Sequence, residues 1–140
     1  MFLLDTVALS ELEKPKPDPG LLAWLETVDW LDLHLSVITI GEVWAGIAAL
    51  PPGRKRRALE GMFDLIPDRF HNRIIPVDYA IAVKFGEMQA ESGPLPSLDA
   101  LIAATALTRR LTLVTHNTKD MARTGAMLLE IASCERQLAA

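Results

Sequence analysis

Cysteine is nearly absent from this 140-residue chain: Cys134 stands alone, which excludes an internal disulfide and a cysteine-rich zinc site. Histidine is also sparse. His34, His71 and His116 are scattered and lack the paired spacing of a zinc-binding helix. No apolar run approaches the roughly 18 residues needed to span a bilayer, and the longest candidate, 98–107, is interrupted by Asp99. The opening Met1–Asp5 has no basic stretch and meets an acid at once, so no signal peptide is expected. These absences together suit a reducing, cytoplasmic setting and no membrane association. Internal repeats and low-complexity segments are missing. Excess positive charge is missing too: the formal net charge of −4 disfavours a protein that coats nucleic acid by bulk electrostatics. It weighs less against a nuclease, because acidic metal ligands count as bare charges until a cation neutralises them.

What the chain does have is apolar residues: 50% are hydrophobic against 23% charged, enough for one globular domain spanning 1–140. Phe2–Leu4 reads as a short buried strand ending at Asp5. Leu9–Leu12 begins a helix that Pro15, Pro17 and Pro19 stop, and Pro19 or Gly20 opens the next one. Residues 35–38 form a β-branched strand, after which Thr39 is placed to cap a helix, with Glu42 at capping-box spacing. An amphipathic helix is expected over 54–66, a strand over 73–77 and a helix over 79–91. Ser97 is expected to cap a helix over 98–109, followed by strands at 111–115 and 128–131. Strands alternating with helices predict an α/β domain with a mostly parallel central sheet.

Four carboxylates fall where buried segments end: Asp5 after the first strand, Glu42 and Asp99 near helix starts, and Asp120 beyond the 111–115 strand. Ligands of open parallel sheets bind beyond the C-terminal strand ends, the edge to which all four are assigned. Each acid alone has an ordinary reading, as a turn residue, a capping partner, a first-turn acid or an exposed loop acid. Their conjunction points instead to a site for Mg²⁺ or Mn²⁺, which prefer hard oxygen ligands. Two such ions about 3.5–4 Å apart suit phosphodiester hydrolysis.

The local strings carry a resemblance. Leu3-Leu4-Asp5-Thr6 with Leu9-Ser10-Glu11-Leu12, Ile38-Thr39-Ile40-Gly41-Glu42-Val43, Leu98-Asp99-Ala100-Leu101-Ile102-Ala103-Ala104-Thr105-Ala106, and Leu113-Val114-Thr115-His116-Asn117-Thr118-Lys119-Asp120 occur in order along nearly the whole chain. They resemble the four motifs of PIN-domain ribonucleases, in particular VapC-type toxins of toxin–antitoxin pairs. The resemblance implies a three-layer α/β/α domain. It implies a metal-dependent endoribonuclease in which Asp5, Glu42, Asp99 and Asp120 hold Mg²⁺ or Mn²⁺, and Thr6, Thr115 and Asn117 orient ligands or contact phosphate. It also implies an RNA substrate, a homodimer and a cognate antitoxin whose C-terminal segment covers the acidic cleft.

One position departs from the pattern: Val7 stands where the family usually has Asn, removing a supporting hydrogen bond of the kind whose loss costs ~10–100-fold in metal affinity or activity. Met121 replaces a common aromatic and still fills apolar space. Val7 also excludes a haloacid-dehalogenase-type phosphatase, which needs a second Asp there, and it is the one feature favouring a degenerate domain kept as a binding module. Arg54-Lys55-Arg56-Arg57 is the densest basic run, read first as a solvated helix face and second as a contact for RNA phosphate or an acidic partner. His116 is read as an exposed loop residue. Trp24 and Trp44 are read as packing residues, and Trp30 joins them as a possible base-stacking surface.

Overall fold

The computed structural model describes residues 1–130. Its strands are β1 (Phe2–Leu4), β2 (Leu33–Ser36), β3 (Ile74–Ile75), β4 (Thr112–Thr115) and β5 (Leu128–Glu130). They form one sheet in the order β3-β2-β1-β4-β5, and every pairing is parallel. Helices α1 (Thr6–Leu12) and α2 (Pro19–Leu25) connect β1 to β2. Helices α3 (Val37–Ala48), α4 (Arg54–Phe63) and α5 (Ile66–Phe70) connect β2 to β3. Helices α6 (Tyr79–Ser92) and α7 (Ser97–Arg109) lead to β4, and the single turn α8 (Thr118–Met121) leads towards β5. No helix among the described residues is long and apolar enough to cross a membrane.

The strands are mostly apolar because both faces of the sheet are covered. Successive side chains point to opposite faces. Leu4 and Val114 therefore join a core with Leu9, Trp24, Phe63 and Phe70, while Leu3 and Leu113 join a second core with Ile81, Met88, Ile102 and Ala103. That alternation is what makes the architecture three-layered, as the motif resemblance implied. Trp24 is buried with its ring edge-on to Phe2, and Trp44 packs on the same core. Trp30 is part-exposed, its indole N–H donating to the Arg69 carbonyl.

Several expected boundaries move. The first helix starts at Thr6 rather than Leu9, because Asp5 accepts the Ala8 N–H at 2.8 Å and caps it. β2 ends at Ser36, whose hydroxyl accepts the Ile38 N–H; Ser36, not Thr39, caps α3. Thr39 is instead fully buried inside the helix, and Glu42 lies in its second turn with no capping role. Ser97 is the first helical residue of α7 rather than its cap: Pro96 is extended, and its carbonyl accepts the Ala100 N–H. β3 covers only 74–75, since Arg73 sits in a 3₁₀ turn and Pro76 has no N–H to donate. The helix expected over 54–66 divides into α4 and α5, the second carrying Pro67 in its first turn. The predicted end of the last strand at Ile131, and Cys134, lie outside the described residues.

Candidate active site

The strand order determines where a site can form. The chain runs outward from β1 through β2 to β3, then returns to the other side of β1 for β4 and β5. The order reverses between β1 and β4, and a crevice opens beyond the C-terminal ends of such a strand pair. Asp5 follows β1 immediately, its N–H donating to the Val114 carbonyl of β4 at 3.1 Å. Asn117 follows β4. Helix α3 leaves β2 at this same edge, and α7 begins here before descending to β4; α3 touches both α1 and α7.

The edge holds a cleft of about 160 Å³ lined by Asp5, Thr6, Val7, Glu42, Asp99, Ile102, Asn117 and Met121. Asp5, Glu42 and Asp99 are thus brought together, with Thr6 and Asn117 beside them. Asp120 is not on the lining; it is exposed on α8, close enough to raise the pKa of Asp99. Thr115 is fully buried and off the cleft surface, so it supports Asp5 rather than reaching a ligand. Its hydroxyl also accepts the Asn117 N–H at 2.9 Å, which fixes the turn after β4. Thr6 donates to Glu42 Oε1 at 2.7 Å, holding a side chain from α3 with one from α1.

Asp5 is only 5% exposed, and burial raises its carboxyl above the ordinary value. The Thr115 hydroxyl, the Ala8 N–H and the nearby exposed His116 pull it down, and Asp99 pushes it up. Asp99 is raised by burial and then by the negative charge of Glu42 and Asp120. None of the four acids forms an ion pair with a basic side chain among the described residues. Like charges crowded without a counter-ion are costly, and a divalent cation held by their oxygens relieves that repulsion. The donor set, carboxylates with one amide, therefore fits a hard ion such as Mg²⁺ or Mn²⁺. Among the described residues, no three His, Cys, Asp or Glu side chains converge closely enough to hold an ion as they stand. The chemistry of the donors, not a ready-made cage, is what fits.

Val7, singled out in the sequence as a departure, lies on the cleft wall and is 46% exposed. Ile102 was not identified from sequence as a lining residue. Its signal was available: it is three residues after Asp99 on one helix, a spacing that shares a face. Met121 is buried and lines the cleft, filling apolar space as its character suggested.

The PIN domain profile matches residues 2–127. Toxin FitB of Neisseria gonorrhoeae (strain ATCC 700825 / FA 1090) is 34% identical over 123 residues, covering 84% of this chain and 88% of that protein. VapC ribonuclease Y4jK of Sinorhizobium fredii (strain NBRC 101917 / NGR234) is 31% identical, covering 89% and 93%. The crystal structure of FitAcB from Neisseria gonorrhoeae superposes with a TM-score of 0.88 at 30% identity, covering 94% of this chain and 99% of that one. A toxin–antitoxin complex from Klebsiella pneumoniae matches with a TM-score of 0.68, also at 30% identity, covering 87% and 91%.

Proposed function

The chain belongs to the PIN-domain family, and from that membership we propose that it is a metal-dependent endoribonuclease, the toxin of a toxin–antitoxin pair. The observation that carries this reading is the cleft: Asp5, Glu42 and Asp99, from three separate segments, share one small cavity at the sheet's switch point without a basic partner. A relative named as a ribonuclease supports the reaction, and relatives described as a toxin and as a toxin–antitoxin complex support the role.

Asp5, Glu42 and Asp99, with Asp120 at the rim, would hold Mg²⁺ or Mn²⁺. When bound, such an ion activates water and offsets the charge that builds on a phosphodiester under attack. The chain's own residues prepare the place. Thr115 and the Ala8 N–H favour the charged form of Asp5 and partly offset the pull of burial. Thr6 fixes Glu42 through the 2.7 Å hydrogen bond. Asn117 offers an uncharged amide to a phosphate oxygen, which adds no repulsion. Homodimerisation and neutralisation by a cognate antitoxin belong to the same proposal, and a small reading frame just upstream would be its cheapest support.

The test is induction in a bacterium with sequencing of new RNA 5′ ends. Growth arrest and cleavage by the wild type, both lost in Asp99→Asn, are the expected result. Equal toxicity and cleavage in the two would sink the mechanism. Val7 on the cleft wall favours one second reading, a degenerate domain that binds without cutting. Titration with Mn²⁺ separates the two: binding that Asp99→Asn abolishes supports the enzyme, and no binding by the wild type supports the binding module.

A further inference from the structure

Four consecutive basic residues, Arg54-Lys55-Arg56-Arg57, open α4. Their position is adverse, because the N-terminal end of a helix carries positive partial charge, and Gly53 offers no side-chain cap to offset it. Arg56 is accounted for: its Nε donates to Glu60 Oε1 at 2.8 Å and its Nη1 to the Leu50 carbonyl at 3.2 Å. Arg54, Lys55 and Arg57 are exposed and form no ion pair among the described residues. Such a cluster is tolerated more readily where an anion answers it.

Lys55 lines a groove of about 400 Å³ bordered by α1, α3 and α4. Thr6 and Glu42 line both this groove and the acidic cleft, so the two cavities adjoin. At about 160 Å³ the cleft is smaller than the roughly 300–1,000 Å³ pockets that enclose a drug-sized ligand, so nucleotides beside the scissile phosphate must lie outside it. We propose that Lys55 at the groove, with Arg54 and Arg57 exposed beside it on the first turn of α4, binds backbone phosphates flanking the scissile one, so that a single RNA strand passes this helix end on its way to the acids. The proposal rests on the ribonuclease reading. RNA is favoured over an acidic peptide because one strand satisfies both ends: a phosphodiester at the cleft and a further phosphate at every nucleotide beside the cations.

The experiment is fluorescence anisotropy with a labelled single-stranded RNA in EDTA, for the full chain and for a triple variant with Arg54→Gln, Lys55→Gln and Arg57→Gln. Three phosphate contacts at about 0.7 each should reduce the slope of log affinity against log salt by about 2 in the variant. Between 50 and 200 mM salt, the wild type should then lose about 16-fold more affinity than the variant. A variant with Arg54→Lys and Arg57→Lys should keep the wild-type slope, since phosphate attraction here needs charge rather than a fork. Thermal unfolding of the triple variant should match or exceed the wild type, because cations leave the positive helix end; this shows that it folds. An unchanged slope in the triple variant overturns the proposal. An unchanged slope with lost binding to the protein encoded upstream also overturns it, by assigning the cluster to that partner. A reduced slope with no cleavage after Mg²⁺ is supplied overturns the ribonuclease reading and leaves the phosphate subsite standing.

Discussion

Two charged side chains are buried in the described fold, and they sit at opposite ends of the sheet. Arg73 precedes β3 at the N-terminal edge; Asp5 follows β1 at the C-terminal edge. Arg73 has its needs met. Its Nη1 donates to the Trp30 and Leu33 carbonyls at 2.6 and 2.9 Å, its Nη2 to the Arg69 carbonyl at 2.8 Å, and its guanidinium lies 5.2 Å from the centre of the Phe70 ring. Asp5 has a backbone N–H and the Thr115 hydroxyl, yet burial and Asp99 still hold its carboxyl above the ordinary range. One buried charge ties three chain segments together. The other lines the cleft, and its burial is only partly offset. The fold thus holds a fully bonded charge at one edge and, at the edge proposed to bind metal, a carboxyl whose burial is only partly offset.

Asp5→Asn should break that contrast most strongly. Asn still caps α1, so the fold persists. Cleavage should fall by more than the ~10–100-fold typical of outer supporting residues, measured as initial rates on one RNA. Stability should move the other way. The raised pKa means that the protonated carboxyl stabilises the fold below the ordinary value of 3.8, and this contribution is lost as pH rises through the folded-state value. At neutral pH the variant should therefore melt higher than the wild type, and the gap should close as pH falls towards 3.8. Mn²⁺ should raise the melting temperature of the wild type alone, and a chelator should reverse that gain.

Arg73→Met tests the other edge. It removes three hydrogen bonds, one of them fully buried, which should cost about 2–4 kcal/mol and lower the melting temperature by roughly 10 °C. Cleavage at low temperature should be retained, because Arg73 does not line the cleft. Thr6→Val removes the bond to Glu42 while keeping the shape, and activity should fall by ~10-fold or more with little change in melting. Val7→Asn is the smallest expected change and runs upward: metal affinity should rise, at most by the ~10-fold that restoring one supporting partner brings, read by Mn²⁺ titration.

Much of the site was legible because a carboxylate beside a buried segment is conspicuous in sequence. Asp5, Glu42, Asp99 and Asn117 share the cleft that strand ends and helix starts suggested. The misplacements concern local choices. Ser36 and Thr39 are both capping residue types three positions apart, and the pairing of Ser36 with Ile75 carries the strand through Ser36 before α3 begins. That choice also removed the ordinary reading of Glu42 as a capping partner. Asp120 looked equivalent to the other acids, but on α8 it is exposed and does not line the cleft.

The sequence by itself determined the parallel α/β architecture and the family, because apolar periodicity and ordered motifs are local properties of the chain. Only the tertiary structure decided which carboxylates share a cavity, that Thr6 bonds Glu42 across 36 residues of sequence, and that Lys55 borders the groove beside them. Those relations depend on the order β3-β2-β1-β4-β5, which sets distant segments side by side through contacts that no local pattern records.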